Sequence, residues 1–387
     1  MKRSWPDVEQ AVTELAGAWR ESRAERQARR HLEPADFERL ANAGFLHVAV
    51  PEAMGGLWRN VSESTRPICE VLRTLAAADP SVALVSSMHP AVIGFWLAQA
   101  ARPGDAWNAQ VEAVCATAAD GHQWGTITSE PGSGGDILRT KTQAALDDGA
   151  GSPVPGQTYR LSGDKHFGSG SGVTSFMLTT AVPEGDDVPT LFLIDVRDRP
   201  WDGSAGLQLI AEWDGIGMAA TQSHAMRLEG CPATRFAWEG PVEQVTLAAA
   251  PLVSSLFTAV ILGVLDEAIR TAKAQLQPKA DTLRAYERVE WSRAELDHWL
   301  AVQAYEGALR AVESGDAAAA LHATLRAKES VAELAESSLG RLSRVLGGGT
   351  FSRRSPFAAW NEDVRALGFL RPPWGLAYDS LFLTSFG

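Results

Sequence analysis

The amino-acid sequence predicts a multidomain α+β protein in which an antiparallel β domain lies between two helical domains. Apolar residues recur every three or four positions through the N-terminal third of the chain, as they do in amphipathic helices. Between Gln123 and Val245, Gly, Thr, Ser and Pro become frequent and short β-prone runs alternate with turn residues. Long helical patterns return after Ala248. We therefore expect a helical domain over 1–120, a β-barrel-like middle domain over 121–245 and a helical bundle over 246–387.

The N-terminal domain is predicted to consist of several helices. Val12, Leu15 and Trp19 have helical spacing, which predicts a helix from Val8 to about Glu33. Further helices are expected where Pro, Gly, Ser or Asp marks the ends of an apolar pattern, at Pro34–Ala43, Ser64–Ala78, Ser81–Ala101 and Asp105–Ala118.

The middle domain is predicted to be an antiparallel sheet. Its β-prone runs include Thr158–Leu161, Ser175–Ala181 and Thr190–Asp195, each bounded by turn residues. The segment Gly149–Gly156 lies between two such runs, which favours a hairpin tip over a domain linker.

The C-terminal domain is predicted to contain long helices at about Leu252–Leu276, Ala280–Ser314 and Ala317–Leu346. Antiparallel neighbours of this length are typical of a helical bundle. Gly347, Gly348 and Gly349 end the third helix and would let the backbone approach a ligand or a partner closely.

Composition excludes several classes of protein. The chain has 387 residues with 35 Lys and Arg against 47 Asp and Glu, so its formal charge of −12 disfavours binding to nucleic acid or to an anionic membrane. Its 3 cysteines form no CxxC pair, which argues against a structural metal site and a disulfide framework. The N-terminus lacks the apolar core of a signal peptide, and the longest apolar run, Pro251–Leu265, is shorter than a membrane span. We expect a cytoplasmic location.

Three glycine-rich segments of the middle domain are candidates for ligand binding: Trp124–Ile137, Gly163–Gly172 and Glu212–Gly230. In the first, Thr and Ser residues precede Pro131 and several glycines, which can turn the chain sharply and direct backbone N–H groups at one anion or carbonyl. The same sequence is also typical of an ordinary tight turn, and the segment alone does not separate these alternatives.

These segments, in this order, resemble the acyl-CoA dehydrogenase superfamily. The resemblance includes five motifs, at Gly44–Gly56, Thr128–Asp136, Leu161–Gly172, Trp213–Ser223 and Gly347–Ala366. It implies a helical N-terminal domain, a β middle domain and a C-terminal four-helix bundle, with FAD, or alternatively FMN, held between the last two. It also implies a homodimer or homotetramer, and an electron-transfer flavoprotein or a flavin reductase as the redox partner.

The resemblance assigns cofactor contacts to the first glycine-rich segment. Thr126, Thr128 and Ser129 match the strand that binds the pyrimidine edge of the flavin, and Gly134 and Gly135 match the turn beside the pyrophosphate. Many relatives have a hydroxyl residue at the position of Gly135, so this contact would come from the backbone alone.

Further cofactor contacts follow from the other motifs. Phe167 matches the aromatic residue that packs on the flavin, and the Ser169 hydroxyl falls where it would point at the flavin N5. Gly347 and Gly348 match glycines that approach the cofactor of a neighbouring subunit.

The catalytic residues of the superfamily are harder to assign. The glutamate base of the dehydrogenases and the histidine of the monooxygenase branch both fall near Leu370 or Arg371, where this chain has neither residue type. We therefore consider Ser169, His89 and Arg371 as catalytic candidates, His89 because monooxygenase relatives often have a substrate-facing histidine there. The main hypothesis is a flavin-dependent oxidoreductase that dehydrogenates a small acyl thioester or a related hydrophobic molecule. The alternative is a monooxygenase that uses reduced flavin and O₂, since the segment His166–Gly170 resembles that branch equally well, and a third is a flavin-binding protein without catalysis.

Overall fold

The computed structural model describes residues 4–99, 104–147 and 152–386. Helices form the first part of the chain, strands the middle and helices the last part, as the sequence predicts. Helix gives way to strand between Ala119 and Trp124, and strand gives way to helix between Arg235 and Val242. Part of the predicted hairpin tip at Gly149–Gly156 lies outside the described residues.

The N-terminal helices begin at residues that can cap them. Ser4 and Asp7 form a capping box at the first helix, and the Asp79 side chain accepts a hydrogen bond from Val82 N–H at another. The single helix predicted over Val8–Glu33 is in fact two helices, because the chain leaves helical geometry at Ser22. The helices are α1 (Trp5–Glu21), α2 (Arg23–Ala28), α3 (Pro34–Asn42), α4 (Val61–Ala76), α5 (Pro80–Leu97) and α6 (Asp105–Ala119).

The middle domain is a closed barrel. Its strands are β1 (Trp124–Thr126), β2 (Gln143–Leu146), β3 (Thr158–Gly168), β4 (Phe176–Pro183), β5 (Thr190–Asp195), β6 (Leu207–Ala211) and β7 (His224–Arg235). The ring runs β4-β2-β3-β7-β5 and closes through the pairing of β5 with β4, while β1 joins β4 and β6 joins β7. Most pairs are antiparallel, but β4 pairs in parallel with both β1 and β2, which the sequence did not predict.

One strand is much longer than its β-prone run. Strand β3 continues through Gly163 and Gly168 because it pairs along its length with β7, from Thr158 opposite Thr234 to Gly168 opposite His224. Pairing with a neighbour therefore outweighs the low strand propensity of glycine here.

The C-terminal domain is built around one long helix, α7 (Val242–Leu276), which packs on α4, α5, α8 and α9. Helix α7 begins ten residues before the predicted start at Leu252 because it accommodates Pro251 in its interior. A Cβ at Gly263 of this helix would lie 2.3 Å from the Arg73 carbonyl oxygen, so glycine permits close approach of α4. The remaining helices are α8 (Ala285–Glu313), α9 (Ala317–Leu346), α10 (Pro356–Gly368) and α11 (Trp374–Phe386).

Within the described residues, two helices are long and apolar enough to cross a membrane by length and composition alone. They are the helix Pro80–Leu97 and the helical segment Val242–Thr282, and 89% and 78% of their most apolar windows are buried within the fold. Both helices lie in the protein core, where packing on all sides accounts for their apolar composition.

Candidate functional site

A buried ion pair fixes the first glycine-rich segment to the barrel. Lys165 is fully buried, and its Nζ donates to Glu130 Oε1 at 2.5 Å and to the Thr180 carbonyl oxygen at 2.6 Å. Burial lowers the pKa of Lys165 to about 8, although the hydrogen bond to Glu130 and its charge act in the opposite direction. Burial alone would raise the pKa of Glu130, but hydrogen bonds from Lys165, Thr140 and the Lys141 N–H lower it to about 2. Both groups are therefore charged near neutral pH.

The turn that follows Glu130 depends on its glycines. Gly132, Gly134 and Gly135 all have positive φ, at 80°, 64° and 83°. A Cβ at Gly135 would also lie 2.6 Å from Pro373 Cγ. The turn is thus in close contact with a segment from the C-terminal end of the chain.

That C-terminal segment carries Arg371, one of the residues singled out from the sequence. Its guanidinium donates to the Gly135 carbonyl oxygen at 2.5 Å, to Thr128 Oγ1 at 2.8 Å and to Ser129 Oγ at 3.1 Å. Burial lowers the pKa of Arg371 to about 10, and the nearby charge of Asp136 acts in the opposite direction. Arg371 remains a cation at neutral pH, and no carboxylate in the described part of the chain forms an ion pair with it.

A second buried lysine holds the segment that bears Arg371. Lys328 on α9 is fully buried and donates to the Gly368 and Pro372 carbonyl oxygens at 2.7 and 2.9 Å. Its Nζ also contacts Glu329 Oε1 at 2.9 Å and lies 5.4 Å from the centre of the Trp374 ring. Burial lowers the pKa of Lys328. This one side chain therefore ties the loop between α10 and α11 to the bundle.

Phe167 has a strained backbone and an exposed ring. Its φ is +57°, in the left-handed region that is unfavourable for a bulky residue, and 56% of the residue is exposed. The ring contacts Trp213 edge-on, with 6.0 Å between ring centres. The glycine-rich segment Gly163–Gly172, which contains Phe167, is joined to the segment Trp124–Ile137, because His166 N–H donates to the Ser129 carbonyl oxygen at 2.8 Å. The exposed ring of Phe167 therefore belongs to the residue that directly follows His166, which is hydrogen-bonded to Ser129.

A line of three hydroxyl groups begins at Ser169. Ser169 Oγ lies 2.8 Å from Ser223 Oγ, which lies 2.7 Å from Thr221 Oγ1. Thr221 Oγ1 then donates to the Met218 carbonyl oxygen at 2.9 Å. The sequence identified Ser169 but not Ser223 or Thr221, which come from a different glycine-rich segment.

The same Met218 peptide contacts a buried carboxyl group of α10. Met218 N–H donates to Asp363 Oδ1 at 2.7 Å. Burial raises the pKa of Asp363 to about 7, and the charges of Asp79 and Glu362 raise it further while the Met218 hydrogen bond lowers it. A Cβ at Gly217 would lie 2.2 Å from the Glu362 carbonyl oxygen, so this loop and α10 are in intimate contact.

Substitution of Asp363 by Asn is expected to reduce the pH dependence of stability. Because the folded-state pKa is raised, the stability contributed by this carboxyl is full below about pH 4 and is lost as the pH rises through about 7. Asn keeps an oxygen for the Met218 N–H and carries no charge, so at pH 8 the variant should be more stable by roughly 1–3 kcal/mol. Urea unfolding at pH 5 and pH 8 measures this difference. The exposed Asp187→Asn variant is the control, and an equal loss for Asp363→Asn at both pH values would contradict the expectation.

His89 does not have the environment expected of a catalytic residue. It is fully buried on α5, with Nε2 3.0 Å from the Leu46 carbonyl oxygen and Nδ1 accepting from Trp124 N–H at 3.2 Å. Burial lowers its pKa to about 4, so the ring is neutral and both nitrogens are engaged by backbone groups. These contacts support a structural role for His89, and its catalytic role stays a prediction.

Other predicted site residues are divided between two places. Thr126, Thr128 and Ser129 are half-buried around the fully buried Ile127, so the three hydroxyl residues lie along one edge of the barrel. Gly347 and Gly348 lie at the end of α9, and nothing in the described ranges connects them to Arg371 or Ser169. Their expected contact with a neighbouring subunit's cofactor stays a prediction.

A cavity of about 480 Å³ lies at the same end of the barrel. Its floor is apolar, with Ile127, Met177 and Met226, and the turn residues Ser171 and Gly172 form one wall. The cavity reaches the turn that follows Ser169, but neither Ser169 nor Arg371 lines it.

The burial of Lys165 and Lys328 was not predicted from the sequence, although the residue pattern around Lys165 indicates it. Tyr159, Leu161 and Lys165 have the same parity along β3, and alternation predicts that all three face the barrel interior. A lysine on such a face needs a buried partner, and Glu130 in the glycine-rich segment provides it.

Comparison with known proteins was made by sequence and by structure. No protein-family model matches the chain. The chain is 26% identical over 359 residues to the amino sugar nitrososynthase DnmZ of Streptomyces peucetius, a match that covers 87% of this chain and 82% of that protein. It is 27% identical over 288 residues to a dibenzothiophene monooxygenase of Mycolicibacterium goodii, covering 71% and 63%. It is 26% identical over 264 residues to the probable FMNH₂-dependent monooxygenase SfnC of Pseudomonas putida, covering 67% and 60%.

Solved structures with the same fold match nearly the whole chain. FMN-bound TdsC from Paenibacillus sp. A11-2 matches with a TM-score of 0.81 and 19% identity, over 98% of this chain and 97% of that one. A nitrososynthase from Micromonospora carbonacea var. africana matches with a TM-score of 0.78 and 22% identity, over 98% and 97%. These similarities confirm the predicted fold class, with its helical N-terminal domain, β middle domain and C-terminal helices.

Proposed function

Since the chain belongs to the acyl-CoA dehydrogenase superfamily, we propose that it is a monooxygenase that uses reduced FMN and O₂ to oxygenate sulfur or nitrogen in a small molecule. The observation that carries this proposal is the cation at Arg371. Removal of an α-proton from an acyl thioester needs a base, and a guanidinium whose pKa is about 10 cannot act as one. Transfer of an oxygen atom to sulfur or nitrogen does not require removal of an α-proton from an acyl thioester.

The residues of the site fit a flavin. Phe167 offers an exposed aromatic face, the hydroxyl and backbone groups of Thr128 and Ser129 line an edge beside it, and Arg371 offers a positive charge without a carboxylate partner. A flat ring with polar edges and a phosphate group complements each of these features. We expect Thr126, Thr128, Ser129, Gly134, Gly135, Phe167 and Ser169 to hold it.

Reduced flavin, when bound, would supply the two electrons that convert one atom of O₂ to water while the other atom is transferred to the substrate. The protein's own residues would orient the flavin and exclude water from it. Phe167 would offer apolar surface to a bound flavin ring, and the Glu130–Lys165 pair anchors the neighbouring turn. The Arg371 guanidinium provides a positive charge where a reduced, electron-rich ring would lie.

The proposed oxygenation is the alternative hypothesis drawn from the sequence, and it is favoured over the main hypothesis of acyl-thioester dehydrogenation. Acyl-thioester dehydrogenation has no base at Arg371, and the curated relatives above are named as monooxygenases or as a nitrososynthase. The third hypothesis, a flavin-binding protein without catalysis, is tested by the experiment below.

The proposal includes two partners. A separate flavin reductase would supply reduced FMN, as the name of SfnC implies for that relative. A second copy of the chain would cover an apolar stripe on α8, formed by Tyr286, Val289, Leu296 and Leu300, which are all at least 41% exposed. Their spacing of three, seven and four residues puts them on one face of the helix. We propose a cytoplasmic homodimer or homotetramer.

Anaerobic titration with reduced FMN, followed by addition of O₂ and a substrate, tests the proposed function. Dibenzothiophene and an amino sugar are suitable probes, because relatives are named for such compounds. We expect oxygenated product and substrate-dependent consumption of O₂. Bleaching of bound flavin by acyl-CoA without O₂ would restore the dehydrogenase hypothesis, and absence of flavin binding would exclude both.

A further inference from the structure

A second cavity, of about 410 Å³, lies between α2, the start of α5, the loop before β7, and α10. Its volume is in the range of small-molecule binding sites. None of the residues that are expected to hold the flavin lines it. Small side chains form much of its wall and leave its centre open and apolar: Ala28, Ala78, Ala219, Ala220, Ala358 and Ala359. The cavity is therefore separate from the proposed flavin site.

The inner end of this cavity carries two buried polar groups that lack partners. Asp363 is 8% exposed, and only its Oδ1 is engaged, by the Met218 N–H, so that Oδ2 has no hydrogen-bond partner among the described residues. Ser81, in the first turn of α5, is also 8% exposed, and no described residue is hydrogen-bonded to its hydroxyl. Buried polar atoms without partners are costly, so both groups indicate a ligand that donates hydrogen bonds to them.

The charges around Asp363 favour a cationic donor. Burial is the main cause of the raised pKa of Asp363, and the charges of Asp79 and Glu362 raise it further, while no nearby cation lowers it. Arg26 also lines the cavity, but its guanidinium is paired with Asp36 at 2.7 Å and with Asp79 at 2.8 Å. A ligand ammonium would therefore meet a carboxyl group whose charge nothing else in its surroundings compensates.

The mouth of the cavity has the opposite charge. Arg30 and Arg353 line the cavity and are exposed, and neither forms an ion pair with a carboxylate in the part of the chain that the structure describes. Ile216 and Phe351 line it too and are 83% and 76% exposed, which places them at the mouth. Guanidinium groups with free N–H donors are well suited to bind phosphate.

We propose that this cavity is a second ligand site, which takes a small molecule with a protonated amine at one end, an apolar body and a phosphate group at the other end. The amine donates to Asp363 and Ser81 at the inner end, and the body lies along the alanine wall. The phosphate accepts from Arg30 and Arg353 at the mouth. The inference goes beyond the proposed function, because no residue assigned to the flavin takes part in it.

Isothermal titration calorimetry with 6-aminohexyl phosphate and 6-hydroxyhexyl phosphate tests the proposal. The two probes differ only in the amine, and their flexible chain adapts to the distance between the two ends of the cavity. We expect the amine to bind at least about tenfold more tightly than the alcohol, the effect of one hydrogen bond with a charged group. Hexylamine and inorganic phosphate each carry one of the two groups, and both should bind more weakly than 6-aminohexyl phosphate.

Variants at the two ends of the cavity separate their contributions. Asp363→Asn removes the charge with little change of shape and should abolish the preference for the amine. Arg30→Gln combined with Arg353→Gln should weaken both phosphate probes about tenfold and leave that preference intact. Asp187→Asn and Arg326→Gln are the matched controls, since they change exposed residues outside the cavity, and neither should affect binding.

Two more measurements locate the probe. Ala219→Phe fills part of the cavity and should abolish binding of both phosphate probes, whereas saturation with FMN should leave the affinity for 6-aminohexyl phosphate unchanged. Ser81→Ala should reduce the preference for the amine, which provides a second measurement if Asp363→Asn fails to fold.

Several outcomes would overturn the proposal. Inorganic phosphate that binds as tightly as 6-aminohexyl phosphate would show only an anion site at the mouth. Displacement of the probe by FMN would place it in the flavin site, and a preference for the amine that persists in both Asp363→Asn and Ser81→Ala would place it elsewhere on the protein. Absence of binding for both phosphate probes would leave water as the occupant of the cavity.

Discussion

Replacing Lys165 with methionine is expected to lower the free energy of unfolding by about 3–5 kcal/mol, the usual cost of leaving one partner of a buried ion pair unpaired. Lys165 is fully buried, and without it Glu130 would remain as a buried carboxylate in contact with hydroxyl and amide groups only. The Thr180 carbonyl oxygen would lose a donor as well. Urea unfolding at pH 7, followed by circular dichroism, measures the loss.

Two further variants test whether the loss of stability comes from breaking the Lys165–Glu130 ion pair. Lys165→Met combined with Glu130→Gln removes both charges and should recover at least half of the lost stability, because no unpaired buried charge remains. Lys141→Met removes an exposed lysine two residues from the next barrel strand and should change stability by less than about 0.5 kcal/mol. A Lys165→Met loss no greater than that of Lys141→Met would contradict the assignment.

Replacing Lys328 with methionine is expected to affect both stability and cofactor binding. The substitution removes hydrogen bonds to the Gly368 and Pro372 carbonyl oxygens and leaves Glu329 without its cation, so we expect a loss of about 3 kcal/mol. Because the same bonds hold the loop that carries Arg371, we also expect FMN affinity to fall about tenfold, the effect of one lost hydrogen bond with a charged group.

The readouts for this prediction are thermal unfolding and fluorescence titration with FMN. Lys273→Met is the matched control, since the Lys273 side chain is 67% exposed and its nearest carboxylate, Glu295, is 4.0 Å away. If Lys328→Met lowers stability and leaves FMN affinity unchanged, then the loop does not depend on this lysine for its position near the cofactor.

The sequence determined the order of the helical and β regions and the type of those elements for which it gave a pattern. Periodicity of apolar residues is a local property, so a repeat near four predicts α4 and a repeat of two predicts the core-facing residues of β3 without knowledge of the fold. Its errors lie at ends and breaks, as at Ser22 and Pro251, where packing against neighbours decides whether a helix continues. The motifs likewise indicated Thr128, Ser129, Gly135 and Arg371 as site residues, and the structure brings these four together.

Only the tertiary structure decided how these residues act. Arg371 and Thr128 are 243 residues apart, and Met218 and Asp363 are 145 apart, so no local pattern could pair them. The surroundings of His89 could not be predicted from the sequence either. Helix α5 is buried on nearly every side and has no polar face to indicate where a histidine points. The backbone partners of His89, like the contacts of Arg371 with Gly135, Thr128 and Ser129, join segments that are distant in sequence, and the free energy of those contacts depends on burial, which sequence spacing does not encode.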